Sequence, residues 1–265
     1  MTPELEVALE AARRGGAIVS RYYHEGVEIR YKEAANLVSD ADVESEQAVA
    51  ATIRAAFPGH VIIGEEVHSG DTLAEHAWII DPLDGTNNFA HQVPNFAVSI
   101  AYCQRGRVMA GVVFNPVRDE WFSAARGQGA TFNGKPIHVN DERLEETIIG
   151  MGCFLDKGGL MDATLASVGD LYRAGIHGIR RFGAAALDLC SVAMGRYGAF
   201  FEYQLSPWDF AAGVLIVEEA GGRVTHCLGE PITMTRGSIL ASNGKLHEPM
   251  IAVVGKRLKE VISDK

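Results

Sequence analysis

The run Trp78-Ile79-Ile80-Asp81-Pro82-Leu83-Asp84-Gly85-Thr86-Asn87-Asn88-Phe89 constrains this chain more than any other stretch. It opens as an apolar strand and closes on two carboxylates, a glycine and a hydroxyl. An apolar strand has to be buried, so its end carries Asp81 and Asp84 towards a region where unpaired charge is costly. Pro82 restricts the backbone between them. Two other short segments end alike: Val61-Ile62-Ile63 runs into Gly64-Glu65-Glu66, and Ser206-Pro207-Trp208 leads to Asp209. Singly, each has an ordinary structural explanation. Asp-Gly-Thr is a common turn with a helix cap, Glu65-Glu66 suits a solvated loop, and Asp209 complements a helix dipole. Taken together they predict convergent carboxylates neutralised by a hard divalent cation, magnesium above all. Such an ion keeps positions for water and phosphate oxygens, which is phosphoryl chemistry. Gly85 and Thr86, just before a helical turn, offer backbone N–H donors to a phosphate, and the threonine hydroxyl can position an attacking water.

Composition narrows the classes. The chain has 265 residues, 47% of them hydrophobic and 22% charged, enough for one large body. No apolar run approaches the roughly 20 residues of a membrane span. The opening Met1-Thr2-Pro3-Glu4-Leu5-Glu6 is acidic where a secretory signal is basic and then apolar, so a cytoplasmic location is expected. A formal net charge of -10 opposes non-specific nucleic-acid binding, which relies on basic side chains displacing counterions. Neither a membrane nor a direct nucleic-acid partner is expected. Cys103, Cys153, Cys190 and Cys227 form no Cys-x-x-Cys pair and are expected to be buried free thiols. No histidine has a triad-like partner in sequence, and none is assigned a role.

Periodicity predicts a helix over residues 3–24, a strand around Val27–Tyr31, and a helix over 41–57 capped by Ser39 and Asp40 and ended by Pro58-Gly59. Strands follow over 61–63, 96–103, 107–115 and 119–124. Residues 126–139 continue the meander through an Asn133-Gly134 hairpin turn. Beyond about residue 145, strands (147–152, 176–181, 198–203, 222–227, 238–242) alternate with helices (159–174, 184–195, 208–220, 246–262), the rhythm of a layered α/β protein. The two parts, 1–145 with a mostly antiparallel sheet and 146–265, are expected to share one compact body.

In Gly64-Glu65-Glu66, Trp78 to Phe89, Trp208-Asp209-x-Ala-Ala-Gly213 and Glu219-Ala-Gly-Gly222, taken in that order, the chain resembles the inositol monophosphatase-like, magnesium-dependent, lithium-sensitive phosphatases over essentially its whole length. The resemblance implies an α/β fold, α+β by some schemes, built as a layered αβαβα sandwich of the sugar-phosphatase type. It implies two or three Mg²⁺ ions held by Glu65, Asp81, the Leu83 carbonyl, Asp84 and Asp209. Most of these ligands come from the N-terminal part and Asp209 from the C-terminal part. Glu65 and Thr86 would orient the nucleophilic water, Asp42 would be linked to that water and to Thr86, and Gly85 and Thr86 would give amides to phosphate. Asp84 and Asp209 would also touch substrate. Glu202, seven residues before Asp209, matches the glutamate that holds ring hydroxyls, and Ala185 a backbone contact to the same ring. Arg180-Arg181-Phe182-Gly183 resembles the bacterial branch. A homodimer and lithium inhibition are likewise implied.

The expected reaction is hydrolysis of a small phosphate ester by direct attack of a metal-activated water. Inositol 1-phosphate stands ahead of fructose 1,6-bisphosphate, histidinol phosphate and 3′-phosphoadenosine 5′-phosphate. An aspartyl-phosphate mechanism is disfavoured, since the aspartate nearest Asp84 on its N-terminal side is three residues away rather than two. The near P-loop at Gly129 to Lys135 lacks the hydroxyl after lysine and lies between strands. A reading of another class stays open: a non-catalytic interaction protein on this fold, since some bacterial members of the family are linked to the transcription or translation machinery.

Overall fold

The computed structural model describes residues 1–26, 29–33, 36–153 and 159–263, and only the backbone of 29–33 and 36–39. Helix α1 (Pro3–Glu25) starts where the Thr2 hydroxyl accepts from the Leu5 N–H at 3.2 Å, with Pro3 in the first turn. Strands β1 (Ile29–Glu33) and β2 (Asn36–Ser39) pair antiparallel and lead into α2 (Asp40–Ala56), which packs on α1. Of the strand expected around Val27–Tyr31, Val27 lies outside the described residues. The partner strand β2 was not anticipated, and α2 begins where its cap was expected.

A seven-stranded sheet runs in chain order: β3 (Val61–Gly64), β4 (Ala77–Asp84), β5 (Ala97–Gln104), β6 (Arg107–Asn115), β7 (Glu120–Ala125), β8 (Ala130–Phe132) and β9 (Lys135–Ile137). Only β3 and β4 pair parallel; the rest form an antiparallel meander. At the last turn Asn133 and Gly134 both have positive φ, 47° and 74°, as a two-residue hairpin with the right-handed strand twist requires. This turn occupies the near P-loop motif and leaves no helix there.

A second, five-stranded sheet has the order β11 (Gly178–Arg180), β10 (Ile148–Met151), β12 (Ala199–Leu205), β14 (Gly237–Ser242), β13 (Arg223–Thr225), parallel over β11-β10-β12 and antiparallel beyond. Helices α5 (Ala185–Ala193) and α6 (Pro207–Glu219) fill the space between the sheets. From Phe210 to Val217 helix α6 is apolar around its whole circumference because that stretch has no solvent face. Helices α1 and α2 cover the far side of the first sheet, and α4 (Gly159–Arg173) with the C-terminal helices covers the far side of the second. The layers therefore run αβαβα.

The strands have continuous apolar runs because both faces are covered. Along β4, Ala77 and Ile79 join the central core while Trp78 and Ile80 join the core beneath α1 and α2. Along β12, Phe200 faces the centre and Phe201 faces α4.

The C-terminal helix expected over 246–262 is interrupted. Helix α7 (His247–Met250) passes through a wider π turn (Ile251–Gly255) into α8 (Lys256–Ser263). Gly255 explains the detour: a Cβ there would lie 2.8 Å from the Cys227 carbonyl oxygen, so the helix presses its bare backbone on the β13 side of the sheet. Gly255→Ala should lower stability by about 1–3 kcal/mol despite alanine's better helix propensity. A denaturation midpoint unchanged from wild type would remove this explanation. Cys103, Cys190 and Cys227 are buried thiols as expected, whereas Cys153 is only half-buried. No helix among the described residues is long and apolar enough to cross a membrane.

Candidate active site

Asp81 and Asp84 are three residues apart, which on a regular strand would point them to opposite faces. The ladder prevents this. Asp81 pairs with Ser99 and Asp84 with Ala97, so β4 spends three steps where β5 spends two. The extra residue, at Pro82-Leu83, is a bulge that returns both aspartates to the face towards α5 and α6. Asp81 is 1% and Asp84 8% exposed. The Leu83 N–H donates to Asp81 at 3.0 Å and fixes the bulge.

Asp209 enters from the other sheet's side. It lies in the first turn of α6, where its carboxylate accepts from the Ser206 N–H at 2.6 Å, the helix-start role that its position suggested. The same carboxyl lies against that of Asp81, close enough for each to shift the other's proton affinity. Two buried carboxyls so close repel each other unless a proton or a cation lies between them. Burial pushes the Asp81 carboxyl well above the usual carboxylate range, reinforced by the charges of Glu65, Asp84 and Asp209. Burial also raises Asp84 and Asp209; backbone N–H groups oppose this at both, and Asp209 is raised further by Asp84. Glu65, half-buried in the loop after β3, adds its charge to both Asp81 and Asp84.

Asp84 also spans the layers. Its two oxygens accept from the Ala185 N–H at 3.2 Å and the Ala186 N–H at 2.8 Å, capping α5 from 101 and 102 residues away. The Ala185 amide, expected near a substrate ring, is thus turned to Asp84. Gly85 follows at φ 96°, and a Cβ there would lie 3.0 Å from the Asn95 carbonyl, so both conformation and space demand glycine. Helix α3 (Thr86–Ala90) begins next. The Thr86 hydroxyl lies 3.1 Å from the Leu83 carbonyl and 3.3 Å from Asp42 Oδ1, with one proton to divide between them. Asp42 is 1% exposed, on the inner face of α2.

Glu202, on β12, shares the parity of Phe200 and so faces the central layer. A Cβ at Gly152 would overlap its carboxyl, so that glycine makes its room. Burial raises Glu202 well above the ordinary range, with Asp209, Asp188 and Asp84 adding to the effect. Arg180 and Arg181 are both exposed, and the Phe182 carbonyl accepts from Asn88 at 2.6 Å, which ties their loop to α3.

Two acids escaped the sequence reading. Asp188, 2% exposed in α5, is raised by burial and then by Asp84, with Tyr197 beside it opposing the shift. Its signal was a lone acid in Ala-Ala-Ala-Leu-Asp-Leu-Cys. Glu46, fully buried on α2, has a signal in its spacing: it stands four residues after Asp42, on the stripe with Ala50 and Ile53.

Among the described residues, no three acidic, histidine or cysteine side chains are arranged to hold an ion by themselves. The donor chemistry nevertheless fits Mg²⁺, which takes a few carboxylates and completes its shell with water and phosphate oxygens. Asp81, Asp84, Asp209 and Glu65 are oxygen donors of one sign, and the Asp81–Asp209 contact is one that a cation would relieve.

The two sheets, the helices between them and the acids at their junction define a layered α/β protein of the sugar-phosphatase type. Residues 1–259 match the model of the inositol monophosphatase family, and the chain belongs to that family. A curated relative, the Nus factor SuhB of Pseudomonas aeruginosa, is 41% identical over 267 residues, covering 97% of this chain and 98% of that protein. The IMPase of Thermotoga maritima superposes with a TM-score of 0.89 at 32% identity, covering 98% of this chain and 100% of that one. The staphylococcal IMPase-II with bound inositol monophosphate gives a TM-score of 0.84 at 30% identity, covering 98% of each chain.

Proposed function

We propose that the protein is an Mg²⁺-dependent phosphomonoester hydrolase acting on inositol 1-phosphate or a related small polyol phosphate. The observation that carries this reading is the meeting of Asp81 with Asp209, flanked by Asp84 and Glu65, beside the Thr86–Asp42 pair. Glu65, Asp81, Asp84, Asp209 and the Leu83 carbonyl would hold two or three ions. When bound, these supply the positive charge that polarises phosphorus and acidifies water. The protein's own groups do the rest. Asp42 accepts a hydrogen bond from the Thr86 hydroxyl, so the Thr86 oxygen is turned to accept from a water, and Glu65 orients the same water. The water oxygen bonds to phosphorus as the ester P–O bond breaks, giving inorganic phosphate and the free alcohol, with no phosphoenzyme. The Gly85 and Thr86 amides contact the phosphate, while Glu202 and the backbone at Ala185 contact the polyol.

Inositol monophosphate bound to the staphylococcal relative supports inositol 1-phosphate, and 2′-AMP bound to the same relative keeps 3′-phosphoadenosine 5′-phosphate beside it, ahead of fructose 1,6-bisphosphate and histidinol phosphate. A homodimer, lithium inhibition and a cytoplasmic site of action belong to the same proposal. The test is Mg²⁺-dependent phosphate release from all four esters, with and without lithium. Preference for inositol 1-phosphate, suppressed by lithium, is expected. Preference for another ester would overturn the substrate, and no release from any of them would overturn the reaction. Glu202→Gln should raise KM for inositol 1-phosphate roughly 10- to 100-fold, the worth of a charged hydrogen bond. An equal loss on a phosphate ester without hydroxyls would remove Glu202 from substrate recognition.

A second reading is favoured by the relatives' name, Nus factor. On it, the chain acts through a protein partner whether or not it turns over an ester. Catalytically silent variants that keep an in vivo role would support it.

A further inference from the structure

We propose that α2 is the jig that sets the attacking water, and that Glu46 is the positioning residue for Glu65. The inference rests on the proposed role of Glu65 in ion and water binding. Asp42 and Glu46 stand one helical turn apart on the buried face of α2. Asp42 meets the Thr86 hydroxyl, whereas Glu46 meets the loop that bears Glu65. One rigid element therefore holds both groups assigned to orient the water.

The grip of Glu46 on that loop is unusually complete. Its carboxylate accepts from three successive backbone amides, Glu66 at 2.8 Å, Val67 at 2.9 Å and His68 at 2.9 Å, and from the His68 ring nitrogen Nδ1 at 2.7 Å. The loop closes on itself as the Gly64 N–H donates to the His68 carbonyl at 2.8 Å. A Cβ at Gly64 would overlap the Glu46 carboxyl, so the strand end reaches the acid only because it is glycine. An apolar residue in place of Glu46 would pack without the desolvation that a buried carboxylate incurs. What the carboxylate adds is geometry: its three amide bonds each fix a backbone atom one to three residues from Glu65. Outer partners of this kind orient metal ligands, and their loss lowers ion affinity or activity roughly 10- to 100-fold.

The test uses the full chain as wild type, Glu46→Gln, which presents an NH₂ group to donors, and Gly64→Ala, which displaces an unaltered Glu46. Three quantities are read: Mg²⁺ binding by calorimetry without substrate, hydrogen exchange of the 66–68 amides, and the Mg²⁺ concentration for half-maximal phosphate release. In folded variants, Mg²⁺ binding should weaken roughly 10- to 100-fold. The three amides should exchange faster, and saturating Mg²⁺ should restore part of kcat. A role in folding alone would lower the melting temperature and leave the ion affinity of the folded fraction unchanged, which overturns the proposal. Should Glu46→Gln fail to fold, Gly64→Ala and His68→Ala decide the matter on the same readouts. If wild type releases no phosphate but the variants bind Mg²⁺ more weakly, the jig stands and the hydrolase reading fails. If wild type is active and the variants match it, the reverse holds.

Discussion

Asp84→Asn is expected to abolish Mg²⁺-dependent phosphate release, by more than about 10²-fold, while the folded structure persists. Removing a group that only supports a ligand costs up to about that factor, so removing the ligand itself should exceed it. The fold should survive because asparagine keeps one oxygen for the α5 amides and no longer repels Glu65 and Asp81. Stability without Mg²⁺ should change by less than about 2 kcal/mol, loss of one buried acceptor being offset by loss of one buried charge. Wild type should gain about 2.7 kcal/mol at 100 times the ion's Kd, and the variant should lose that gain. Phosphate release and melting curves with and without Mg²⁺ check both parts. Near-normal turnover would withdraw Asp84 from the ion site.

Acid should weaken the fold through His247, which is fully buried. Its environment dictates the neutral ring. The Thr225 hydroxyl donates to the His226 carbonyl at 2.7 Å and so accepts from Nε2–H of His247 at 2.9 Å. The Ser242 hydroxyl accepts from the Gly244 N–H and donates to Nδ1 at 2.9 Å. A second ring proton would force the Ser242 hydroxyl to turn its own proton away from the ring. Burial first, and then Arg223, hold the His247 pKa down at about 4 against an ordinary 6.5. The unfolded chain therefore takes up the proton first as pH falls. The contribution is complete above pH 6.5, is lost as pH drops towards 4, and amounts to about 3 kcal/mol at 1.36 kcal/mol per unit. His247→Gln should be less stable than wild type at pH 7.5, and the gap should narrow by up to that amount by pH 4. A gap constant with pH would show that His247 does not titrate on unfolding.

Much of this architecture was legible in the sequence because it follows local rules. The Asn133-Gly134 turn, the apolar strands and the alternation beyond residue 145 each carry their own periodicity or turn chemistry, and the acids at strand ends stood out against apolar neighbours. What stayed hidden depends on contacts between distant residues. Strand β1 carries the alternation that predicts it, whereas its partner β2, Asn36-Leu37-Val38-Ser39, is four residues with none. The π turn before α8 exists because Gly255 meets the Cys227 carbonyl, an approach that no window around residue 255 reveals. The bulge that turns Asp84 to the same face as Asp81 is visible only in the register against β5. Asp188 and Glu46 sat within helical patterns, where an acid ordinarily marks the solvent face. The roles of Glu65, Asp42, Glu202 and Ala185 came from resemblance rather than from pattern, and they await the measurements set out above.

Asp84 accepting the amides of Ala185 and Ala186 also has a consequence for biosynthesis. A ribosome delivers Glu65, Asp81 and Asp84 long before the start of α5, and Asp209 later still. A nascent chain that has not yet released residue 209 carries most of the acids without the geometry that gathers them. On the proposed function, ion capture would be a late event in the birth of each molecule, and an ion-induced rise in melting temperature would serve as a certificate that the last layers have docked.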